Sequence, residues 1–134
     1  MALLTPEVHS YFDEATNAAC YIVKDPSSTS CAIIDSIWNF DLASGQTNTE
    51  HADMLAEDII ANGWQLDWII ETHVHADHLS AAPYLTQRFG AKIAIGSNIK
   101  TVQKVFGKVF NAGTEFQMEG SQFDRLFEDG ECFD

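Results

Sequence analysis

The sequence predicts an α/β fold in which helices flank a mixed sheet, and two patterns carry this prediction. Short apolar runs with the length of strands alternate along the 134 residues with stretches whose apolar side chains recur at helical spacing. A histidine-rich loop, residues 72–78, separates one such run from the next helical stretch. Sites in α/β proteins commonly lie beyond the carboxyl ends of strands, so this loop is the candidate functional site.

Composition limits the classes of partner. Hydrophobic residues make up 46% of the chain and charged residues 20%, which is typical of a globular rather than a disordered chain. The formal net charge is -13, so nucleic acid and anionic membrane surfaces are repelled and are not expected as partners. No apolar segment is long enough to cross a bilayer, and Met1–Glu7 lack the basic and apolar regions of a secretory signal.

The three cysteines, Cys20, Cys31 and Cys132, favour a reducing compartment. Their number is odd and no two of them have C-x-x-C spacing, so a disulfide framework is not expected. Free thiols are the rule in the cytoplasm, which is the predicted location.

Three strands are predicted at the start of the chain. Val8–Phe12, Ala19–Val23 and Cys31–Ile34 are apolar runs separated by turn-forming residues, and such neighbours are expected to pair antiparallel. Asp35 closes the third run, either as a turn residue or as a carboxylate that orients the histidine loop. A loop is predicted over Ile37–Asn48.

The clearest predicted helix is Thr49–Asn62. Thr49 is a plausible N-cap, and Gly63 follows as the stop. His51 lies at the start of this helix, which is expected to be exposed; like His9, it is predicted to be inert and is left out of the site. The apolar side chains of this helix follow helical spacing at Ala52, Leu55, Ala56, Ile59 and Ile60.

A βαβ unit is predicted next, and it contains the histidine loop. Gln65–Glu71 is the strand that leads into the loop, Ser80 is predicted to cap a helix that Gly90 stops, and Lys92–Ile95 is a strand parallel to the first. Ser97 is predicted to cap a further helix that reaches about Phe106. Residues 107–120 are expected to be irregular, and residues 127–133 to form a hairpin or the start of a strand.

The histidine loop has the spacing of a metal site. His73 and His75 are two residues apart, so in extended backbone their rings point the same way and can hold one ion. Asp77 and His78 lie further round the turn and could hold a second ion. Imidazole with carboxylate suits zinc or ferrous iron. The plainer interpretation is a histidine-rich turn in which Asp77 or Ser80 only caps the helix.

His-x-His-x-Asp-His after an apolar strand resembles the metallo-β-lactamase superfamily. Glu71–Leu85 is similar to the persulfide dioxygenase and β-lactamase-like hydrolase branch, which is related to glyoxalase II. Three further segments share the resemblance: Cys31–Ser36, Phe40–Thr47 and Val102–Phe106.

The resemblance implies that residues 1–134 are the N-terminal part of a single metallo-β-lactamase-fold domain, an αββα sandwich whose C-terminal half is absent. Further histidine and aspartate ligands are expected beyond Asp134. The chain is therefore expected to be part of a longer enzyme; a short chain that pairs with a second copy, as a homo-oligomer, and a degenerate form are the alternatives. Half a sandwich leaves an apolar sheet face uncovered.

The function that the resemblance implies is an iron-dependent oxidation of glutathione persulfide, or of a similar small persulfide, to sulfite with O2. His73 would bind Fe(II), and His75, Asp77 and His78 would surround and orient it. The alternative is a thioester hydrolase of the glyoxalase II type. In that case zinc is possible: His73 and His75 would bind one ion, and Asp77 and His78 would bind a second ion. Asp77 is also the candidate catalytic carboxylate. A third alternative is a binding module without catalysis.

Overall fold

The computed structural model describes residues 4–134, and twelve helices and strands follow one another in that part of the chain. In order they are β1 (Glu7–Asp13), β2 (Ala18–Lys24), β3 (Ser30–Ile34), β4 (Ile37–Phe40), β5 (Thr47–Asn48), α1 (Glu50–Ala61), β6 (Gln65–Ile70), β7 (Leu79–Ser80), α2 (Ala82–Phe89), β8 (Lys92–Gly96), α3 (Ile99–Val109) and β9 (Arg125–Phe127).

Six of the strands form one mixed sheet in the order β1-β2-β3-β6-β8-β9. The first three strands pair antiparallel, as predicted, with Tyr11 opposite Cys20 and Ile22 opposite Ile33. From β3 onward the pairs are parallel. The predicted α/β class with a mixed sheet and flanking helices is confirmed.

The parallel half of the sheet determines where a site can form. The carboxyl ends of β3, β6 and β8 reach the same edge, where the N–H of Asp35 donates to the Ile70 carbonyl at 2.9 Å. One strand further on, the N–H of Glu71 donates to the Ala94 carbonyl at 2.9 Å. The residues that follow β3 and β6 therefore meet at this edge, and the histidine loop is among them.

One face of the sheet carries the core. Alternate residues of the central strands pack against α1 and α2, and burying each such large aliphatic side chain contributes about 1.5–3 kcal/mol. The most deeply buried are Ile22, Ile33, Ile69, Leu55, Ile59 and Leu85. On the outer strands some large apolar side chains remain exposed, among them Val8 and Phe12 of β1 and Tyr21 of β2.

The predicted loop Ile37–Asn48 is wrong in part, because it contains two short strands. β4 pairs with β5 on one side and with β7 on the other, forming a second, three-stranded sheet. Strands of two to four residues are too short for a period-two pattern to stand out in sequence. The pairing of Ile37 with Ser80 ties this small sheet to the end of the histidine loop.

Two predicted helix caps are corrected by the structure. Ser80 belongs to β7 and Ala81 occupies the N-cap of α2, although the Ser80 hydroxyl still accepts a hydrogen bond from the Ala82 N–H at 3.1 Å. Asn98, not Ser97, is the N-cap of α3, because the Ser97 hydroxyl donates to the Glu128 carboxylate at 2.9 Å.

The end of the chain also differs from the prediction. α3 continues to Val109, so the irregular segment begins later than residue 107. β9 (Arg125–Phe127) pairs parallel with β8 instead of opening a hairpin over residues 127–133. Within residues 4–134, no helix combines the length and hydropathy needed to span a bilayer. The predicted lack of a secretory signal rests partly on residues 1–3, which lie outside the described residues.

The three thiols are expected to differ sharply in reactivity. Cys20 and Cys31 are buried in the core, and burial raises the pKa of both thiols, that of Cys31 to about 11, whereas Cys132 is exposed. Because the thiolate is the reactive form, Cys132 alone should react rapidly with a disulfide reagent at pH 8, and all three should react in denaturant. Rapid native reaction of two or more thiols would contradict this packing.

Candidate metal centre

The site is built on Asp35, at the carboxyl end of β3. This residue has φ +56, a left-handed conformation that aspartate tolerates better than most side chains. Its carboxylate accepts two hydrogen bonds from Thr72, one from the N–H at 2.8 Å and one from the hydroxyl at 2.7 Å. Asp35 therefore fixes the first residue of the histidine loop, in agreement with its interpretation as an orienting carboxylate.

Thr72 in turn fixes the ring of His73. The Thr72 oxygen lies 2.8 Å from His73 Nδ1, and its only proton is directed at Asp35. The hydroxyl must then accept from Nδ1–H, which leaves the lone pair of His73 on Nε2. This tautomer presents Nε2 as a metal ligand, and the His73 side chain is exposed.

His75 is held between two carboxylates. Its Nε2 lies 3.0 Å from Asp35 Oδ1 and 3.1 Å from Glu71 Oε2, and its side chain is largely buried. Glu71 is 5% exposed and also accepts a hydrogen bond from the Ser80 hydroxyl. Glu71 was not among the sequence candidates, although it immediately precedes the histidine loop at the end of β6.

The pKa values of the Asp35 and Glu71 carboxyl groups are shifted in opposite directions. Burial alone would raise the pKa of Asp35, but the hydrogen bonds from Thr72 and the neighbouring His75 lower it. Burial raises the pKa of Glu71 and outweighs its hydrogen bond from Ser80 and its contact with His75. The site therefore holds one carboxylate that stays charged and one that takes up a proton more readily.

The structure brings all four sequence candidates together at this edge. The ring centroids of His73 and His75 are 4.3 Å apart, and His75 and His78 stack with centroids 4.1 Å apart. Two overlapping groups of donor atoms result, each within 4.8 Å: Asp35, His73 and His75 in one, and His75, Asp77 and His78 in the other. Asp77 does not cap α2, since its carboxylate makes no hydrogen bond among the described residues.

These residues fit a metal ion. The donor set combines imidazole nitrogen and carboxylate oxygen, which suits zinc and ferrous iron, and the tautomer of His73 leaves Nε2 available. Carboxylates that contact the far side of a ligand ring are typical of such sites. The alternative of a merely structural histidine turn does not account for this arrangement of His73, Thr72 and Asp35.

A pocket of about 330 Å³ opens beside the histidines. Its walls are mainly apolar, with Pro83 from α2, Ile93 and Ile95 from β8, and Phe123 from the segment before β9. None of its lining residues is a lysine or arginine. The pocket therefore offers apolar contact to a group placed next to the metal ligands.

His51 departs from the sequence prediction. It is 5% exposed, not at the surface, and neither ring nitrogen has a hydrogen-bond partner among residues 4–134. The backbone N–H of His51 donates to Asn39 Oδ1 at 2.8 Å. Trp38, which precedes Asn39 in β4, pairs with Leu79, the residue after His78. Burial lowers the pKa of His51, and nearby His78 lowers it further while Asp13 opposes the shift.

The leucine substitution of His51 is expected to stabilise the chain. Each buried nitrogen without a partner costs about 1–3 kcal/mol, so His51→Leu should raise the free energy of unfolding by about 1 kcal/mol after packing losses.

Because the pKa of folded His51 is lowered, protonation favours the unfolded chain, and stability is lost as the pH falls below about 6.5. Urea unfolding at pH 7.5 and 5.5 should show a smaller acid loss for H51L than for the wild type; an equal loss would contradict the assignment.

Comparison with known proteins identifies the family of this site. The profile of the metallo-beta-lactamase superfamily matches residues 14–131, which include every candidate ligand. The chain belongs to the metallo-beta-lactamase superfamily. The resemblance noted in the sequence is thereby confirmed, and the superfamily is one that binds metal ions.

The superfamily relatives are longer proteins. A probable metallo-hydrolase of Burkholderia pseudomallei is 52% identical over 92% of this chain and 42% of its own length. Glyoxylase B2 of Dictyostelium discoideum is 44% identical over 95% of this chain and 43% of its own length. The chain therefore spans less than half the length of both superfamily relatives.

A solved structure agrees on the metallo-beta-lactamase fold. The crystal structure of ETHE1 from Myxococcus xanthus matches 66% of this chain and 34% of its own, with a TM-score of 0.55. The sequence identity of 23% makes this a likeness of fold alone. It supports the mixed sheet and flanking helices on which the metal centre is built.

Proposed function

We propose that the chain forms part of an iron-dependent dioxygenase that oxidises glutathione persulfide, or a similar small persulfide, to sulfite. The observation that carries the proposal is the unequal presentation of the two leading histidines. His73 is exposed, with Nε2 free to bind an ion, whereas His75 is largely buried between Asp35 and Glu71. Because His73 is the more accessible of the two rings, the arrangement favours a single ion bound through His73, with the carboxylates holding His75 in place beside it.

In this proposal, a ferrous ion held by His73 would supply the oxygen-activating chemistry when bound. His73 supplies one protein ligand, and further ligands come from the part of the protein that matches the remaining length of the relatives. Thr72 and Asp35 keep His73 in the tautomer that leaves Nε2 unprotonated. His78 lines the pocket beside His73, and Asp77 lies with His78 in the second donor group, so both would tune the surroundings of the ion.

The pocket supports a small sulfur substrate. Its apolar walls suit the polarisable sulfur end of a persulfide, and its lack of a cation places any charged end of the molecule outside. The overall reaction balances: a persulfide, one O2 and one water give a thiol and sulfite, with four electrons passing from sulfur to oxygen. The choice of glutathione as the thiol rests on the resemblance of the segments that flank the histidine loop.

Two assays on the complete gene product test the proposal. After loading with ferrous iron, it should consume O2 and form sulfite in equal amounts when glutathione persulfide is added. The same preparation should leave S-lactoylglutathione intact. Thioester hydrolysis without O2 uptake would overturn the dioxygenase.

A thioester hydrolase is the second candidate, and one observation favours it. When His75 Nε2–H donates to the carboxylates, its Nδ1 keeps a lone pair, so His73 and His75 could share one ion. The second donor group, with Asp77 and His78, would then hold another ion, and water between two ions is the nucleophile of such hydrolases. The name of the Burkholderia relative, a probable metallo-hydrolase, agrees with a hydrolase.

A further inference from the structure

One wall of the pocket beside the histidines lies outside the helices and strands. Gln122 and Phe123 line this pocket, and both belong to the irregular segment 117–124 that leads into β9. We call residues 117–124 the strap. Irregular segments are more mobile than helices and strands unless hydrogen bonds or packing hold them. The width of the pocket therefore depends on what fixes the strap.

The last residue of the strap is fixed by β8. The Asp124 N–H donates to the Ile93 carbonyl at 2.8 Å, and the Ile93 N–H donates to the Asp124 carboxylate at 2.8 Å. Ile93 itself lines the pocket. This end of the strap is therefore attached to another wall of the same pocket, and Phe123, the preceding residue, is held beside it.

Gln103 of α3 fixes the middle of the strap. Its side chain is 8% exposed, and both ends of its amide are used. The amide oxygen accepts a hydrogen bond from the Gly120 N–H at 2.9 Å, and the amide nitrogen donates to the Gln122 side-chain oxygen at 2.9 Å. The Gln122 nitrogen in turn donates to the Gln117 carbonyl at 2.9 Å. One buried side chain thus holds the strap at two points, and one of them is a pocket residue.

Gly120 allows the strap to lie close to its neighbours. It has φ +76, a left-handed conformation that glycine adopts without strain. A Cβ at this position would lie 2.8 Å from Leu126 Cδ1 and 3.4 Å from Ile99 Cγ2. The strap is therefore packed against α3 and β9 at a distance that a side chain at this position would not permit.

The pocket is small enough for the strap to decide which groups enter it. Its volume of about 330 Å³ is at the lower end of the roughly 300–1,000 Å³ found for ligand sites. The walls from α2 and β8 belong to regular elements, whereas the position of the strap rests on the hydrogen bonds of a few side chains. In so small a pocket, a shift of the strap by the width of one atom changes which groups fit.

We propose that Gln103 is a positioning residue that sets the width of the pocket, and that the pocket selects substrates whose sulfur is bonded to an unbranched carbon. By holding the strap, Gln103 keeps Gln122 and Phe123 in the pocket wall, which leaves room for a slim chain but not for a branched one. The inference rests on the proposed function only where it names the substrate as the persulfide of a primary thiol. The effect of Gln103 on pocket width is independent of the reaction.

Two thiols with the same number of carbons test the width of the pocket. They are n-butyl thiol, which is unbranched, and tert-butyl thiol, which is branched at the carbon that bears the sulfur. Binding to the complete gene product is followed by the NMR signal of the Ile95 methyl group, which lines the pocket, so neither metal nor turnover is required. The wild type should prefer n-butyl thiol by about tenfold or more, since apolar pockets discriminate by at least this factor between groups that differ by one methylene.

Gln103→Met should reduce this preference at least about fivefold, because methionine is similar in shape but makes neither amide hydrogen bond. Gly120→Ala should have the same effect, since alanine is strained at φ +76 and its Cβ would displace the strap. Gly120→Ala leaves Gln103 and the pocket wall unchanged, so the two variants test the position of the strap from opposite sides.

The ratio of the two affinities separates a positioning role from a loss of stability, because a smaller folded fraction weakens the binding of both thiols equally. Ile99→Val is the matched control. Ile99 is buried on α3 one turn before Gln103, and the change removes packing but none of the hydrogen bonds of the strap. The preference for n-butyl thiol should therefore stay at the wild-type level in this variant.

Equal affinity of the wild type for the two thiols would overturn the inference, as would an unchanged preference in both Gln103→Met and Gly120→Ala. With the iron-loaded complete gene product, the persulfide of n-butyl thiol should have the higher kcat/KM for O2 uptake. Selective binding of n-butyl thiol without any O2 uptake would count against the proposed function while supporting the role of Gln103.

Discussion

Replacing His73 with alanine is expected to abolish metal binding at physiological concentrations and to reduce turnover more than about 100-fold. Loss of a residue that only supports a metal ligand costs about 10–100-fold, and loss of the ligand itself should cost more. His73 is exposed and packs little, so His73→Ala should unfold at nearly the wild-type denaturant concentration. The measurement is metal content after dialysis, by elemental analysis, together with the rate of the loaded complete gene product.

His9→Ala is the matched control for this change. His9 lies on β1, outside both donor groups, so removing it should leave metal content and rate at the wild-type level. Retention of a full equivalent of metal by His73→Ala would contradict the assignment of His73 as the principal ligand.

Replacing Asp35 with alanine is expected to have the second largest effect. The change removes both hydrogen bonds to Thr72 and the contact with His75, so His73 loses the tautomer that presents Nε2. Metal affinity should fall about 10–100-fold. Alanine at φ +56 adds about 1–2 kcal/mol of backbone strain, which should lower the free energy of unfolding.

Asp35→Asn separates these two effects. Asparagine tolerates the left-handed conformation and can still accept from the Thr72 N–H, so the stability of Asp35→Asn should stay close to that of the wild type. Its amide lacks the charge that the carboxylate offers to His75, so metal affinity should still fall. Equal metal affinity in the wild type, Asp35→Asn and Asp35→Ala, measured by competition with a chelator, would rule out the orienting role.

Most of the large sheet could be predicted from the sequence because its strands are compact apolar runs bounded by turn-forming residues. Cys31–Ile34 and Gln65–Glu71 were recognisable in this way, and α1 was recognisable from apolar residues at helical spacing with Gly63 at its end. These signals come from burial on one face, which the sequence records directly. The second sheet could not be predicted, since β5 and β7 are two residues each and exist through pairing with β4.

The helix starts show a similar limit. Ser80 and Ser97 both have the residue type of a cap, but tertiary partners take their hydroxyls: Ser80 donates to Glu71, and Ser97 donates to Glu128. Capping preference is worth about 1 kcal/mol, which a single tertiary hydrogen bond can match. Local sequence therefore placed the start of both helices within two residues but did not identify their first hydrogen bonds.

The sequence indicated the histidine loop of the candidate site but not all of the buried residues around it. The spacing of His73, His75, Asp77 and His78 within one loop signals a metal site without any knowledge of the fold. Glu71 and His51 depend on tertiary packing: Glu71 turns inward at the end of β6, and His51 is buried where α1 meets β4. A charged residue directly before the histidine loop was the one available signal for Glu71, whereas His51 at a helix start resembles any surface residue.

The number of metal ions per chain tests the central claim most directly. The complete gene product should be reconstituted with ferrous iron without oxygen, or with zinc, and the bound ions counted against protein concentration. One ion per chain, lost in His73→Ala and only weakened in His75→Gln, is the result predicted by a single site bound through His73 with His75 as its hydrogen-bonded support. Two ions per chain, with one of them lost in His75→Gln, would contradict that account and favour the hydrolase.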